Sequence, residues 1–144
     1  YLIAATPDAI YNGLVCARLA PDFGRQRVFQ VSPGVARLDL YRGLSRDSRG
    51  RVLGEPAWNF TLFETLFERG WRFRAMPPVS APSGNASAAP LGSAEGNRLM
   101  ILTVRKGSAI LVCSAEDTTP VEPMVGDIDV VMEPPVPPEQ TGQA

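Results

Sequence analysis

Three polar residues near the amino terminus, Thr6, Asp8 and Asn12, have the types and the spacing of a candidate cofactor-binding loop. They follow the apolar run Tyr1–Ala5, which has the composition of a buried strand. Open α/β sheets hold ligands where such a strand ends and a helix begins. A structural interpretation competes with this one: Thr6 caps the helix, Asp8 complements its dipole, and Asn12 ties it to a neighbouring loop. The sequence leaves both interpretations open.

The other reactive residue types do not form a catalytic set. A hydrolase or transferase needs a nucleophile with a base, a metal cluster, or paired carboxylates in a cleft. The chain has no His, the most common general base and metal ligand. Its other prominent acidic residues are interpreted as surface charge: Glu64, Glu68, Glu116 and Asp117. We therefore expect no enzymatic activity, no catalytic residue and no metal site.

The two cysteines, Cys16 and Cys113, lie inside the apolar segments Gly13–Ala17 and Ala109–Cys113. A free Cys in such surroundings behaves as a small hydrophobic residue. A disulfide would need oxidising surroundings and close geometry, and two distant thiols without His are too few ligands for a metal site. The sequence therefore predicts two core thiols.

Length and charge limit the class of protein. With 144 residues, 44% hydrophobic and 20% charged, the chain is one domain or pieces of two small ones. Lys and Arg number 14 against 15 Asp and Glu, which leaves a net charge of -1 and argues against nucleic acid as a partner. Apolar runs such as Leu99–Leu102 are far shorter than the roughly 20 residues that cross a bilayer. Because Tyr1 opens directly into a strand, we interpret the chain as a fragment whose beginning lies elsewhere.

The first third of the chain predicts a strand, a helix and a second strand. The helix is expected to start with Thr6 as its cap and to end at Gly24, and the second strand is expected at Arg27–Val31. This order and spacing predict a parallel crossover. Because the helix has few strongly polar residues, we expect it to pack on more than one side.

The remaining segments predict a second helix and a β unit. The basic stretch Gly34–Val52 could form an anion or lipid-headgroup patch, but its mixed charges favour a solvated helix and loop. Further elements are predicted as follows: a helix from Glu55-Pro56 to Gly70, a half-exposed strand at Trp71–Ala75, a flexible linker at Pro77–Asn97, a hairpin of Arg98–Val104 and Ala109–Cys113 joined at Arg105–Ser108, a third strand at Asp127–Met132, and a disordered tail at Glu133–Ala144.

The segment LIAATPDAIYNGLVCARLAPDFGRQRVFQVSP resembles the last part of the TrkA-N or RCK nucleotide-binding domain of bacterial sodium or potassium/proton antiporters. The resemblance rests on a strand ending in Ala-Thr, on Asp8 four residues before Asn12, and on Phe23-Gly24-Arg25 leading into Val28-Phe29-Gln30. The stretch GRVLGEPAWNFTLFETLFERGWRFRAM is similar to the segment that follows in these antiporters, and PVEPMVGDIDVV is similar to the ending of TrkA-C-like domains.

This resemblance implies an α/β fold in five parts. Residues 1–33 would be the C-terminal part of a Rossmann-like (TrkA-N/RCK) domain and 34–76 a helix and strand extension. Residues 77–97 would be a linker, 98–132 a small α+β or β-rich, TrkA-C-like unit, and 133–144 a disordered tail. No GxGxxG motif occurs, and the strands that would carry the phosphate loop are absent from this chain.

The function implied by the resemblance is that of a cytosolic, nucleotide-sensing regulatory fragment of a monovalent cation/proton antiporter. The fragment would be soluble, on the cytoplasmic side of the inner membrane, with the transport domain of the same polypeptide and a second copy of itself as partners. NAD or an adenine nucleotide would bind the complete protein, and Thr6, Asp8 and Asn12 would line or support the nucleotide crevice.

Two other functions remain open at this point. A fragment of a Rossmann-type NAD(P)-dependent oxidoreductase would contain a similar strand and helix. A stand-alone interaction module could dimerise through the apolar first helix. The sequence upstream of Tyr1 separates the first two, since membrane segments and a Gly-rich turn indicate an antiporter and a soluble catalytic domain indicates a dehydrogenase.

Overall fold

The computed structural model describes residues 1–34, 37, 41, 43, 45, 48–78, 98–107, 109–117 and 122–135. These residues form a parallel and an antiparallel sheet with two α-helices, which confirms the α/β class. In chain order the elements are β1 (Leu2–Ala4), α1 (Ala9–Phe23), β2 (Val28–Gln30), β3 (Arg51–Val52), α2 (Phe60–Glu68), β4 (Arg72–Met76), β5 (Leu99–Val104), β6 (Ile110–Val112) and β7 (Ile128–Glu133). Across the described ranges, every helix is too short or too polar to cross a bilayer.

The parallel sheet has the strand order β1-β2-β3 and contains the predicted crossover. β1 and β2 pair in parallel with Ile3 opposite Phe29, and α1 connects them. A short 3-10 helix at Arg25–Arg27 precedes β2, so this strand begins one residue later than predicted. The helix packs on the sheet through a small cluster of buried side chains: Ala4, Cys16, Ala20 and Val28.

β3 corrects the prediction for the basic stretch. Arg51–Val52 was expected in a solvated helix and loop, but it forms a third parallel strand beside β2. The strand forms because Val52 and the following Leu53 are buried and because the Leu53 N–H donates to the Gln30 carbonyl at 2.9 Å. The other charged residues of the stretch lie outside the described residues, except for Arg37 and Arg49.

The first helix ends as predicted but packs differently. Gly24 adopts a φ of +82°, and its N–H donates to the Ala20 carbonyl at 2.9 Å, which terminates the helix. Packing on more than one side is wrong for the described residues, because Ile10, Tyr11 and Leu14 are 74%, 55% and 64% exposed. The helix therefore presents an apolar outward face, defined here as Ile10, Tyr11 and Leu14.

The second helix begins later than predicted. Residues 55–58 form a turn in which the Trp58 N–H donates to the Glu55 carbonyl at 2.9 Å. Asn59 then caps the helix, because its Oδ1 accepts from the Leu62 N–H at 2.9 Å. Because residues 55–58 form this turn and Asn59 makes the capping bond, the helix proper starts at Phe60. Gly70, with a φ of +86°, follows the helix end as predicted.

The antiparallel sheet has the strand order β4-β7-β5-β6. The predicted β5–β6 hairpin is confirmed, with the Arg105 N–H donating to the Ala109 carbonyl at 2.8 Å. Glu133 was assigned to the disordered tail, but it is the last residue of β7. Glu133 is only 8% exposed, and its carboxylate pairs with Arg74 and with Arg98, each at 2.9 Å. These ion pairs hold the residue in the sheet.

A shared hydrophobic core joins the two sheets. It contains residues from both sheets and both sides of the predicted linker: Phe29, Leu53, Trp58, Leu66, Leu99, Ile101, Val112 and Met132. Gly54 sits at the junction, where its N–H donates to the Cys113 carbonyl at 2.8 Å and a Cβ would lie 1.9 Å from the Trp58 ring. Most of the linker, residues 79–97, and most of the tail, residues 136–144, lie outside the described residues. The division into five parts stays a prediction.

Candidate functional site

The loop between β1 and α1 brings Thr6, Asp8 and Asn12 together at the carboxyl end of β1. Thr6 and Asn12 bond to each other three times. The Thr6 N–H and hydroxyl donate to Asn12 Oδ1 at 3.1 and 2.7 Å, and Asn12 Nδ2 donates to the Thr6 carbonyl at 2.9 Å. These three bonds close the loop into a turn.

The helix cap is Asp8 and not Thr6, which corrects the structural interpretation of the sequence. Asp8 has extended backbone angles, and its Oδ1 accepts from the N–H groups of Ile10 and Tyr11 at 2.9 and 3.0 Å. Thr6 cannot serve as the cap because its hydroxyl already donates to Asn12 and accepts from the Asp8 N–H. A capping carboxylate also places a negative charge at the positive end of the helix dipole.

The three candidate residues differ in their access to a ligand. Asn12 is 1% exposed and Thr6 is partly buried, and both spend their polar side-chain groups on each other. Asp8 is exposed at the surface of the loop. Asp8 is therefore the one of the three that can touch a ligand without rearrangement, whereas Thr6 and Asn12 fix the loop that carries it. Ligand binding by the three residues stays a prediction.

Gln30 is a polar residue at the same sheet edge that sequence reasoning missed. It is the last residue of β2, opposite Ala4 in the register, and it is fully buried. Its Oε1 accepts from the Gly50 N–H at 3.1 Å, and its Nε2 has no hydrogen-bond partner among the described residues. The sequence feature that could have identified Gln30 is a glutamine at the end of an otherwise apolar strand. Among the described residues, Gln30 therefore places an unpaired donor on the side of the sheet that faces α1.

Small residues allow α1 to approach this polar group closely. A Cβ on Gly13 would lie 3.9 Å from Gln30 Oε1, and a Cβ on Gly50 would lie only 2.6 Å from Cys16 Sγ. The Tyr41 hydroxyl closes the region by donating to the Gly50 carbonyl at 2.8 Å, and burial raises the pKa of Tyr41 well above its usual range. The region is tightly filled and offers a small-molecule ligand little space.

Both thiols are shielded from solvent in the folded chain. Cys16 and Cys113 are both buried and free, as predicted for core thiols. Burial raises the pKa of Cys16 to about 11 and the pKa of Cys113 to about 12, so both are neutral at physiological pH. Among the described residues, His, Cys, Asp and Glu do not form a group of three that could hold a metal ion.

Two ion pairs connect the end of the antiparallel sheet to the parallel sheet. Arg49 pairs with Glu116, and Arg51 pairs with Asp117. Both acids were interpreted as surface charge and both are exposed. Their ion pairs connect the segment after β6 to the start of β3. Each carboxylate is thus paired with a guanidinium of the parallel-sheet side.

Comparison with known proteins does not identify a family. No protein-family model, no curated protein and no solved structure matches this chain.

Proposed function

We propose that this chain is a non-catalytic, nucleotide-sensing regulatory part of a bacterial monovalent cation/proton antiporter, built on the end of a Rossmann-like domain. One observation carries the proposal. The segment that resembles the TrkA-N or RCK domain coincides with a parallel β1–α1–β2 unit, whose loop holds Thr6, Asp8 and Asn12 at the carboxyl end of β1. Open α/β sheets bind ligands at this edge.

The electrostatics of the loop limit which part of a nucleotide it can contact. A helix amino terminus ordinarily attracts phosphate, but here the Asp8 carboxylate already accepts from the first free N–H groups of α1. A phosphate at this position would meet a like charge. An exposed carboxylate suits donors, so the proposed contact is between Asp8 and hydroxyl or amino groups of the ribose or adenine.

Regulation follows from differential binding. A nucleotide that prefers one arrangement of the cytosolic domains shifts the antiporter toward that arrangement and so biases the transport cycle. The shift is limited to the difference in binding free energy between the two states, and the nucleotide affinity changes reciprocally with the transport state. Thr6 and Asn12 would act as positioning residues in this scheme, because their mutual bonds hold the loop in place.

The test uses Asp8→Ser in the complete antiporter. Serine retains the helix cap but removes the carboxylate, so the melting temperature should stay nearly unchanged. Affinity for ATP or NAD, measured by calorimetric titration, should fall about tenfold, which corresponds to about 1.4 kcal/mol. Asp22→Ser, at an exposed position in the last turn of the same helix, is the matched control and should leave affinity unchanged. Equal affinities in both variants would contradict the role of Asp8.

The apolar outward face of α1 favours a second function, self-association of the chain. The inward face of α1 packs on the sheet, so Ile10 and Leu14 point away from the sheet. A further strand added to the sheet edge would therefore leave these two side chains uncovered. In an antiparallel α1 pair centred on Leu14, Asp8 lies about 9 Å before the centre and Arg18 about 6 Å after it. Each Arg18 would therefore lie within reach of the partner's Asp8, and both side chains are exposed.

This second function has its own measurement. Leu14→Arg should shift the chain toward monomer in analytical ultracentrifugation over a range of concentrations, because it places a charge at the centre of the pair. Val125→Arg is the control, since Val125 is 99% exposed and lies far along the chain from α1. A chain that is monomeric before any substitution contradicts the dimer.

A further inference from the structure

The outer edge of β4 is an exposed strand edge with an unusual side-chain pattern. β4 pairs with β7 on one side, and no described strand pairs with its other side. The strand from Arg72 to Ala75 is exposed throughout. Phe73 is 50% exposed and makes an edge-to-face contact with Phe67, which is 40% exposed, at 5.5 Å between ring centroids. The edge therefore offers backbone groups, an aromatic surface and charged side chains together.

The charges on this edge are mainly positive. Arg72 and Arg74 occupy alternate positions and so lie on the same face of the strand, about 7 Å apart. Glu133 is shared between Arg74 and Arg98, so two guanidinium groups share one carboxylate. Arg72 donates to the carbonyls of Phe67 and Trp71 at 3.1 and 2.7 Å and has no carboxylate partner among the described residues. Carboxylates brought to this face would find unbalanced positive charge.

This charge pattern argues against a second copy of the chain as the occupant. An antiparallel pair of two β4 strands centred on Phe73 would place Arg72 directly opposite the other copy's Arg74. A pair centred on Arg74 would place the two Arg74 side chains opposite each other. Like charges in directly opposite positions destabilise strand pairing, and basic side chains on edge strands prevent such pairing in natural sheets.

We propose that the outer edge of β4, with which no described strand pairs, binds an extended, acidic segment of another protein or domain by strand addition. The backbone of the segment would bond to the open edge of β4, while alternate carboxylates pair with Arg72 and Arg74. The residue between the carboxylates would point to the opposite face and lie against Phe73 and Phe67. The pattern recognised is thus acidic, apolar, acidic in an extended strand. This site is separate from the loop that carries Asp8.

The experiment titrates the 144-residue chain with the blocked peptide TEVEVET and follows the backbone amide signals of β4 by NMR. The expected result is saturable binding that weakens as salt is added and that shifts the amides of β4. Arg74→Gln should weaken binding by at least about tenfold. Arg98→Gln is the matched control, because it releases the same carboxylate of Glu133 but lies on the far side of β7, and it should change affinity less than about threefold.

Each other outcome overturns the proposal. Equal binding of the peptide TKVKVKT would show that charge does not select the occupant. Equal effects of Arg74→Gln and Arg98→Gln would show that loss of the Glu133 ion pair, and not the edge, controls affinity. Shifts of the β4 amides that depend on chain concentration without peptide would assign the edge to a second copy. A thermal melt of each variant confirms that both remain folded.

Discussion

The two sheets end in outer strands of opposite character. β1 contains Leu2, Ile3 and Ala4, without a charge, and lies beside a helix whose outward face is apolar. β4 contains Arg72 and Arg74 and is exposed along most of its length. Natural sheets protect open edges with charged residues or cover them with other elements. The uncharged β1 side is therefore suited to permanent packing against another apolar surface. The charged β4 edge is suited to exposure to solvent and to reversible binding of a partner.

The largest loss of stability is expected from a substitution in the hydrophobic core that the two sheets share. Phe29 is 1% exposed and belongs to the core shared by both sheets. Phe29→Ala should lower the free energy of unfolding by about 3–5 kcal/mol, because it removes a buried ring and leaves a cavity. Urea denaturation followed by circular dichroism gives the change.

Hydrogen exchange separates two ways in which this substitution could act. If the sheets are one cooperative unit, Phe29→Ala lowers the protection of amides in β2 and β5 equally. Loss of protection in the parallel sheet alone would show that the edges belong to independently folding units. The comparison between the edges would then be one between two domains.

The second prediction tests the close approach of α1 to the sheet. Gly50→Ala should destabilise the chain by about 1–3 kcal/mol, because overpacking forces neighbouring atoms to move. The new Cβ would lie 2.6 Å from Cys16 Sγ and 3.2 Å from the Phe29 carbonyl carbon. Gly43→Ala is the control, since a Cβ there meets nothing within 4 Å. Chemical denaturation of both variants decides, and a loss equal to that of the control would contradict the packing.

The β1–α1–β2 unit could be predicted because its signals are local. The apolar run before Pro7 indicated the strand, and Gly24 indicated the helix end, each within a few residues. The cap was assigned wrongly because Thr6 and Asp8 are both good caps, and Asn12, one turn into the helix, decides between them by claiming the Thr6 hydroxyl.

The remaining features depend on partners that are distant in sequence. β3 is two residues long and exists because β2 lies beside it. Gln30 is recognisable as a buried polar residue only when α1 and Gly50 enclose it. Glu133 belongs to a strand because Arg74 and Arg98 hold its carboxylate. A pattern within a short window contains none of these contacts.

The third prediction concerns the pH dependence of the shared interior. Burial raises the pKa of Cys16 to about 11 and that of Cys113 to about 12, from the ordinary value of 9.0. Above that value the unfolded chain releases thiol protons that the folded chain retains, so the free energy of unfolding falls as the pH rises. The thiol contribution is fully present below about pH 9.

Denaturation at about pH 8 and about pH 10 measures this effect. The variant with Cys16→Ala and Cys113→Ala is the control and should lose less stability between the two pH values. An identical loss in both chains would show that the thiols are not the groups responsible.

The smallest effect is expected at the β4 edge. Phe73→Ala removes a ring that is half exposed, so the free energy of unfolding should change by less than about 1 kcal/mol. Phe29→Ala removes the same side chain from the interior, so the two variants differ only in where the ring lies. Thermal melts of Phe73→Ala and Phe29→Ala, recorded side by side, measure the two losses of stability. A loss at Phe73 as large as that at Phe29 would place the β4 edge within the core.

The central position of β7 has a consequence for synthesis of the chain. β7 is the last of the described strands along the chain, yet it lies between β4 and β5 and is the neighbour that both strands share. While the ribosome is still making the chain, β4 has to wait for residues 128–133 before it can pair. Until then Phe73 and the inner face of β5 are open to chaperones and to misassociation. A premature stop codon anywhere before β7 would leave the antiparallel sheet without the strand that joins its two halves.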